Sequence, residues 1–110
     1  MDEYKIDQAF RALADPTRRA ILSQLVAAPS RVTELAEPYS ISLNAVSKHL
    51  RVLEGAGLVQ RQRRGREHWF SFNQRPLQQA QEWVTDTLNF WNSQLDNLER
   101  YLQEQEKPGD

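Results

Sequence analysis

The stretch that decides the fold is Ser42-Leu43-Asn44-Ala45-Val46-Ser47-Lys48-His49-Leu50-Arg51-Val52-Leu53-Glu54-Gly55-Ala56-Gly57-Leu58-Val59. Val46, Leu50 and Leu53 recur at the spacing of one helical face, and Ser42 suits the N-cap, so the stretch predicts an amphipathic helix. The opposite face carries polar and basic residues: Asn44, Ser47, Lys48 and Arg51. A helix of this kind fits the major groove of DNA, although an ordinary surface helix has the same pattern.

The segment after this helix, about 58–72, predicts a β-hairpin. Gly65 lies where the turn is expected, and Phe70 and Phe72 alternate on the return strand. The hairpin carries a cluster of arginines: Arg61, Arg63, Arg64 and Arg66. A basic hairpin directly after a helix with a basic face predicts a winged helix-turn-helix, in which the hairpin lies along phosphates or enters the minor groove.

Helix-end signals divide the rest of the chain. We expect a first helix over about 4–14, and a second that begins at Pro16 behind an Asp15 cap. A short third helix follows, and the fourth helix should end at Gly55 or Gly57. The apolar residues of the second helix are expected to be buried: Ala20, Ile21, Leu22, Leu25 and Val26.

The last third of the chain predicts one long helix, about 74–103, with a heptad seam. The seam residues step alternately by four and three: Val84, Leu88, Trp91, Leu95, Leu98 and Leu102. Trp83, Phe90 and Tyr101 widen the apolar face beyond what a two-stranded seam needs. The helix could pack only on its own domain, but the other elements already have apolar surface to bury against each other. We therefore expect a subunit interface.

Composition and charge limit the number of domains and the kinds of partner that the chain can have. The length fits one domain over 1–110, and the net charge is −1. Residues 42–75 carry seven basic against two acidic side chains, whereas residues 76–110 carry two against seven. The middle third therefore attracts a polyanion. No apolar run approaches the ~20 residues of a membrane span, and no secretory signal follows the acidic start, so we expect a cytoplasmic protein without a membrane partner.

The residues needed for metal binding or catalysis are scarce. The chain has no cysteine, which excludes disulfides and thiolate metal sites, and only His49 and His68 could supply imidazole ligands. No nucleophile–histidine–acid set, paired carboxylates or glycine-rich phosphate loop can be identified. Gly55-x-Gly57 lacks the third glycine of a dinucleotide fingerprint. We expect neither an enzyme nor a cofactor.

Several motifs in order resemble the ArsR-type (arsenical-resistance repressor) winged-helix regulators over about residues 6–103. The matching segments are Phe10-Arg11-Ala12-Leu13-Ala14-Asp15-Pro16-Thr17-Arg18-Arg19-Ala20-Ile21-Leu22, Val32-Thr33-Glu34-Leu35-Ala36, Val46-Ser47-Lys48-His49-Leu50-Arg51-Val52-Leu53, Ala56-Gly57-Leu58-Val59 and Gly65-Arg66-Glu67. The resemblance implies a homodimeric transcription factor, usually a repressor, whose first and last helices form the dimer. Many relatives sense metals through cysteines of the third helix or through histidine and acidic ligands of the last helix. Because the third helix here lacks cysteine and the last lacks histidine, the chain resembles a non-metal-sensing branch.

Together these observations predict a mainly α winged helix-turn-helix with a small β-hairpin, dimerising through its terminal helices. We expect the helix-turn-helix over about 32–55, the wing over about 58–72 and the dimerisation helix over about 74–103. The function expected is a sequence-specific, metal-independent homodimeric repressor that binds an inverted repeat in double-stranded DNA. A winged-helix dimer that docks another protein without reading DNA is the alternative. A small-molecule effector stays open.

Residue roles follow from position. For base readout we expect Asn44, Ser47 and Lys48. For phosphate contacts we expect Arg31, Thr33, His49 and Arg51. For the wing we expect Arg63, Arg64 and Arg66. For the dimer interface we expect Phe10, Leu13, Leu88, Trp91, Leu95 and Leu98, with no residues assigned to a metal.

Overall fold

The structure, a computed structural model, describes residues 3–106. Its elements in chain order are α1 (Glu3–Leu13), α2 (Pro16–Ala27), β1 (Ser30–Arg31), α3 (Val32–Ala36), α4 (Leu43–Gly55), β2 (Val59–Arg64), β3 (Glu67–Phe72) and α5 (Arg75–Glu106). The strands form one antiparallel sheet in the order β1-β3-β2. A mainly helical chain with a small sheet confirms the predicted fold class.

Side-chain caps start two of the helices, as predicted. The Asp15 carboxylate accepts a hydrogen bond from the Arg18 amide at 2.9 Å, and Pro16 occupies the first position of α2. The Ser42 hydroxyl accepts from the Ala45 amide at 3.1 Å at the start of α4. Each cap satisfies an amide that has no partner within its helix.

Of the two glycines proposed to end α4, Gly57 adopts the left-handed conformation, with φ 75°. Its amide donates to the Glu54 carbonyl, and the Leu58 amide donates to the Leu53 carbonyl. These bonds close the end of the helix and turn the chain directly into β2.

Two arginines at the start of α2 close the end of α1. The Arg18 guanidinium donates to the Ala12 carbonyl at 2.7 Å and to the Arg11 carbonyl at 3.0 Å, and Arg19 donates to the Leu13 carbonyl at 2.7 Å. The last carbonyls of a helix lack helical partners. The two arginines therefore hold α1 and α2 in a tight corner.

The core lies between α2, α3, α4 and the sheet. Its largest fully buried side chains are Phe70, Ile21, Leu35, Leu50, Leu53, Leu58 and Val46. The stripe predicted on α4 is thus confirmed. The expectation that Val26 is buried is wrong, because its side chain is 59% exposed. Val26 lies about 100° around the helix from the buried Leu25 and leaves the face that packs.

Strand β1 was not predicted. Ser30 pairs with Phe70 and Arg31 pairs with Trp69, so this two-residue strand joins the outer edge of β3. The segment between α2 and α3 therefore anchors the hairpin to the helix-turn-helix.

The residues up to Ala80 and those from Gln81 onward form two compact units, which divide within α5. In the second unit the helix continues to Glu106, three residues beyond the predicted end. All its seam side chains are exposed, among them Leu88, Trp91, Leu95 and Leu98. Whether 1–110 is a single domain stays a prediction.

No helix in the described chain is both long and apolar enough to span a membrane.

Candidate nucleic-acid interface

The outer face of α4 presents the residues expected to read bases. Asn44, Lys48 and Arg51 are exposed and follow one another at helical spacing, while Ser47 beside them is half-buried. The opposite face is fixed in the core through residues that are 0% exposed, such as Leu50. Burial of that face on α3 and the sheet orients the polar face outward.

The base of the hairpin is fastened to α4 by Arg61. Its guanidinium donates to the Glu54 carboxylate at 2.8 Å, and it covers the Phe70 ring at 5.0 Å from the ring centroid. Arg61 is therefore occupied within the protein. The contact joins the hairpin to the last turn of α4.

The tip of the hairpin carries the three arginines predicted for the wing. Arg63 donates to the Gly65 carbonyl at 3.0 Å, and Gly65 takes φ 64° in the turn. The Arg64 guanidinium lies 4.9 Å from the centroid of the Trp69 ring. Arg66 is exposed, and among the described residues its side chain has no hydrogen-bond or ion-pair partner.

Arg31, predicted to contact phosphate, is held by carboxylates. It donates to Glu34 at 2.9 Å and to Glu67 at 3.1 Å, and its guanidinium lies 5.4 Å from the Trp69 centroid. The hydrogen bond to Glu34 and the negative charge of Glu67 raise the pKa of Arg31, and the Arg31 side chain lowers the pKa of Glu34. The guanidinium keeps N–H donors that these bonds do not use, so a phosphate at Arg31 would share it with the two carboxylates.

The Trp69 ring on β3 contacts one arginine from each neighbouring strand, Arg31 of β1 and Arg64 of β2. Arg31 pairs directly with Trp69 across β1 and β3, and Gln62 pairs with it across β2, so Arg64, two residues along β2, shares the same face of the sheet. Both guanidiniums lie within the ~6 Å at which an aromatic ring attracts a cation.

The other two residues predicted at phosphates differ in exposure. Thr33 is exposed near the start of α3. The side chain of His49 is only 24% exposed, and its Nδ1 lies 4.0 Å from the Asp15 carboxylate, beyond hydrogen-bond distance. The hydrogen bond from the Arg18 amide, more than the distant imidazole, holds the pKa of Asp15 below its ordinary value. His49 is therefore a mostly buried side chain of α4 that lies near the N-cap of α2.

The residues predicted at the dimer interface fall into two groups. Leu88, Trp91, Leu95 and Leu98 are more than half exposed on α5, and Phe10 on α1 is 40% exposed. Leu13 is half-buried and packs against the core of its own chain.

No metal-binding cluster occurs within residues 3–106, where three histidine, cysteine, aspartate or glutamate side chains nowhere come together. His49 and His68 lie on different elements, α4 and β3.

Comparison with known proteins identifies the family. A family model described as "Helix-turn-helix domain" matches residues 13–62. The transcriptional repressor SdpR of Bacillus subtilis (strain 168) is 31% identical over 90 residues, which cover 82% of this chain and all of SdpR. The chain is also similar to the crystal structure of an ArsR family transcriptional regulator, with a TM-score of 0.79 and 32% identity over 84% of this chain and 96% of the other. The chain belongs to the ArsR family.

A further structure agrees with this assignment. An ArsR-like transcriptional regulator from Rhodococcus sp. RHA1 superposes with a TM-score of 0.82 and 27% identity, covering 90% of this chain and 93% of the other. The predicted family is thus confirmed, and so is the expectation of a transcriptional regulator and not an enzyme. In this ArsR-family chain α3 and α4 form the helix-turn-helix, and the β2–β3 hairpin is the wing.

Sequence reasoning missed the residues that hold the ArsR wing in place. Trp69 and Glu54 were assigned no role, Glu67 was named only within the wing motif, and Arg61 was counted among the basic residues of the hairpin and not as a partner of Glu54. The alternation of Glu67 and Trp69 on β3 was visible in the sequence and places both on one face of the strand. Their partner Arg31 was not visible, since it lies 36 residues from Glu67 in the chain.

Proposed function

We propose that this protein is a cytoplasmic homodimeric repressor that binds an inverted-repeat operator in double-stranded DNA without a metal ion. In each protomer α4 enters the major groove, and the β2–β3 wing contacts the adjacent backbone or minor groove. The observation that carries the proposal is the exposed polar face of α4 beside an arginine-rich wing, in a chain of the ArsR family.

Base readout is supported by residue type and spacing. Asn44 and Lys48 are exposed on the same side of α4, one turn apart. A carboxamide suits the paired donor and acceptor of adenine, and an ammonium suits the two acceptors of guanine. Ser47 is half-buried beside them, and a serine hydroxyl can bond to either kind of base edge. Arg51 continues the same face one turn further along and suits a phosphate.

The charge around α4 and the wing also supports DNA binding. The two carboxylates of residues 42–75, Glu54 and Glu67, are paired with Arg61 and Arg31. The arginines of these two pairs, Arg31 and Arg61, belong neither to the exposed face of α4 nor to the wing tip. Lys48, Arg51 and the tip arginines are therefore left without a carboxylate partner in the described chain, and their positive charge faces outward. Exposed ion pairs contribute little to stability, so we assign Glu54–Arg61 a role in placing the wing.

The contact of Arg64 with the Trp69 ring restricts the position of the Arg64 guanidinium before DNA binds. A guanidinium held on an aromatic face has fewer conformations to lose when it meets a phosphate or a narrow groove. We therefore assign Trp69 as a positioning residue for Arg64.

The dimer is supported by the seam of α5. Leu88, Trp91, Leu95 and Leu98 recur at heptad spacing, and each exposes more than half of its surface in the single chain. Contiguous exposed apolar surface of this kind marks an interaction site. A two-fold dimer presents two copies of α4, which explains why we expect half-sites about one helical turn apart or a multiple of it.

Metal independence is supported by the composition. A zinc site needs about four converging nitrogen, sulfur or oxygen ligands. The chain lacks cysteine, and its two histidines lie on different elements.

The proposal is tested by selecting bound sites from random duplexes and then titrating variants on the best site. Lys48→Ala should cost roughly 1–3 kcal/mol on the selected site and less on other sequences. Arg64→Ala should weaken most sequences alike and reduce the salt dependence by about one unit if it contacts a phosphate. If it enters an A·T-rich minor groove, the loss should be larger at A·T-rich flanks.

Arg100→Ala serves as the control, because it removes an exposed positive charge from α5, outside the α4 face and the wing. Unchanged affinity in both Lys48→Ala and Arg64→Ala, with the dimer folded, would contradict the proposal and favour a protein partner for the basic surface. A selected motif without two-fold symmetry would contradict the dimeric reader.

A further inference from the structure

A cavity of about 370 Å³ lies between α1, the end of α4 and the start of α5, wholly within the first compact unit. It is lined by Lys5, Gln8, Gly55, Ala56, Gly57, Asn73, Arg75, Pro76 and Gln79. Its volume is in the range of small-molecule sites. It is distinct from the α4 face and the wing that we assign to DNA.

The lining of this cavity is rich in donors and contains no carboxylate. Lys5 and Arg75 supply two positive charges, and within the part of the chain that the structure describes neither side chain has a hydrogen-bond or ion-pair partner. The carboxamides of Gln8 and Gln79 are half-buried and likewise have no partner among residues 3–106. Lys5 and Arg75 are exposed and the two glutamines are half-buried, so all four side chains keep donors that a ligand in the cavity can use.

Several carbonyls at the end of α4 already accept hydrogen bonds. The Val52, Leu53 and Glu54 carbonyls accept from the amides of residues 56, 58 and 57. The Gly57 carbonyl accepts from the Asn73 side chain at 2.9 Å. These bonds reduce the partial negative charge that the end of α4 presents to an anion.

Hydrogen bonds and a close approach join the two helix ends that frame the cavity. The side chain of Asn73 joins the end of α4 to the start of α5. Its Nδ2 donates to the Gly57 carbonyl, and its Oδ1 accepts from the backbone amide of Arg75 at 3.3 Å. A Cβ at Gly57 would lie 3.5 Å from the Pro76 ring, so the two helix ends approach closely there. A preformed frame lowers the cost of ordering a ligand site.

We infer that this cavity binds a small dianion, such as a dicarboxylate or a phosphomonoester, between Lys5 and Arg75, and that its occupancy alters DNA binding. Two separated cations without a carboxylate select for two negative charges on oxygen. The site touches the end of the DNA-reading helix and the first turn of α5, so a ligand can change how α4 is held. The effect on DNA rests on the function proposed above, whereas the binding of the dianion does not.

Binding is tested on the full-length protein by NMR titration with glycerol 3-phosphate and, separately, with succinate. We expect saturable shifts of the Gly57 amide and of the Asn73 and Gln79 side-chain amides with at least one of the two, which also tells a phosphomonoester site from a dicarboxylate site. Glycerol and succinamide, the neutral analogues, should cause none. Absence of saturable shifts with both dianions, or shifts confined to α4 and the wing, would overturn the site.

Variants that differ in charge test whether Lys5 and Arg75 attract the dianion. Lys5→Gln and Arg75→Gln should each weaken binding by about tenfold, as expected for loss of one charge-assisted contact, whereas Arg100→Gln should leave it unchanged. Gly55 lines the cavity, and a Cβ there meets no atom within 4 Å, so this position accepts a side chain. Gly55→Glu should weaken dianion binding, and the equally large but neutral Gly55→Gln should weaken it less. Equal affinity in these two variants would contradict the electrostatic account.

The effect on DNA is measured by operator titration with and without the dianion that binds. A change of affinity that disappears in Arg75→Gln supports an effector site. Binding in the cavity with unchanged operator affinity would overturn the effector role. If the protein binds no DNA under any condition, the function proposed above fails, while the NMR titration still decides the existence of the site.

Discussion

Replacing Leu95 by aspartate tests whether the seam of α5 is a subunit interface. Leu95 lies in the middle of the seam, and 57% of its surface is exposed in the single chain. In the proposed dimer this surface is buried against a symmetry mate. A carboxylate at the same position would have to lose its water.

The magnitude follows from the exposed fraction. Complete burial of a leucine side chain contributes about 1.5–3 kcal/mol, so the 57% still exposed accounts for about 0.9–1.7 kcal/mol. A homodimer loses this contribution twice, which makes about 2–3.5 kcal/mol and raises the dissociation constant about 20- to 300-fold. Burial of two carboxylates increases the loss beyond this range.

Sedimentation over a range of protein concentrations measures the dimer, and circular dichroism confirms that each variant is folded. Leu95→Asn separates the loss of apolar area from the effect of charge. Asn89→Asp is the matched control, because it adds the same charge to an exposed position about 120° around α5 from Leu95 and outside the seam. We expect Leu95→Asp to dissociate and Asn89→Asp to remain dimeric.

A folded Leu95→Asp protein with an unchanged dissociation constant would refute the assignment of the seam. So would a native protein that is monomeric at every concentration.

Three further predictions concern the cap, the core and metals. Asp15→Asn keeps an acceptor at the cap but cannot ionise. Because the pKa of Asp15 is below its ordinary 3.8 in the folded state, the native protein should have a higher free energy of unfolding than the variant above pH 3.8, and this difference should decline as the pH falls through the lower folded pKa. Urea titrations at several pH values measure the difference. Leu50→Ala should cost about 2–5 kcal/mol of unfolding free energy because Leu50 is fully buried, whereas Val52→Ala, at a 42% exposed position of the same helix, should cost clearly less in denaturation at fixed protein concentration. Treatment with a chelator should change neither the melting temperature nor the operator affinity; a stoichiometric metal whose occupancy follows operator affinity would contradict metal independence.

Local patterns in the sequence were sufficient for the helices and their caps. Ser42 and Asp15 cap because each has a side-chain oxygen that accepts from the amide three residues later. The buried stripe of α4 follows from the period of the helix, which repeats over short distances. The glycine of the hairpin turn is likewise a local requirement, since Gly65 takes a positive φ.

Contacts between distant segments could not be obtained in this way. Two residues carry too little pattern to predict β1, and that strand exists because Ser30 and Arg31 pair with the edge of β3. Val26 showed that an apolar residue in an apolar helix can still fall outside the packed face.

The same division holds for the DNA-binding surface. Sequence alone determined the family resemblance, the polar face of α4 and the arginines of the wing, because residue type and spacing within one element are local properties. Only the tertiary structure decided which of the cations are engaged: Arg61 with Glu54, Arg31 with two carboxylates, and Arg64 on the Trp69 ring. The physical reason is that these contacts depend on distances of a few ångströms between different elements, which the packing of the core sets. Arg31 and Glu67 lie 36 residues apart in the chain, and even Glu54 and Arg61, seven residues apart, belong to α4 and β2.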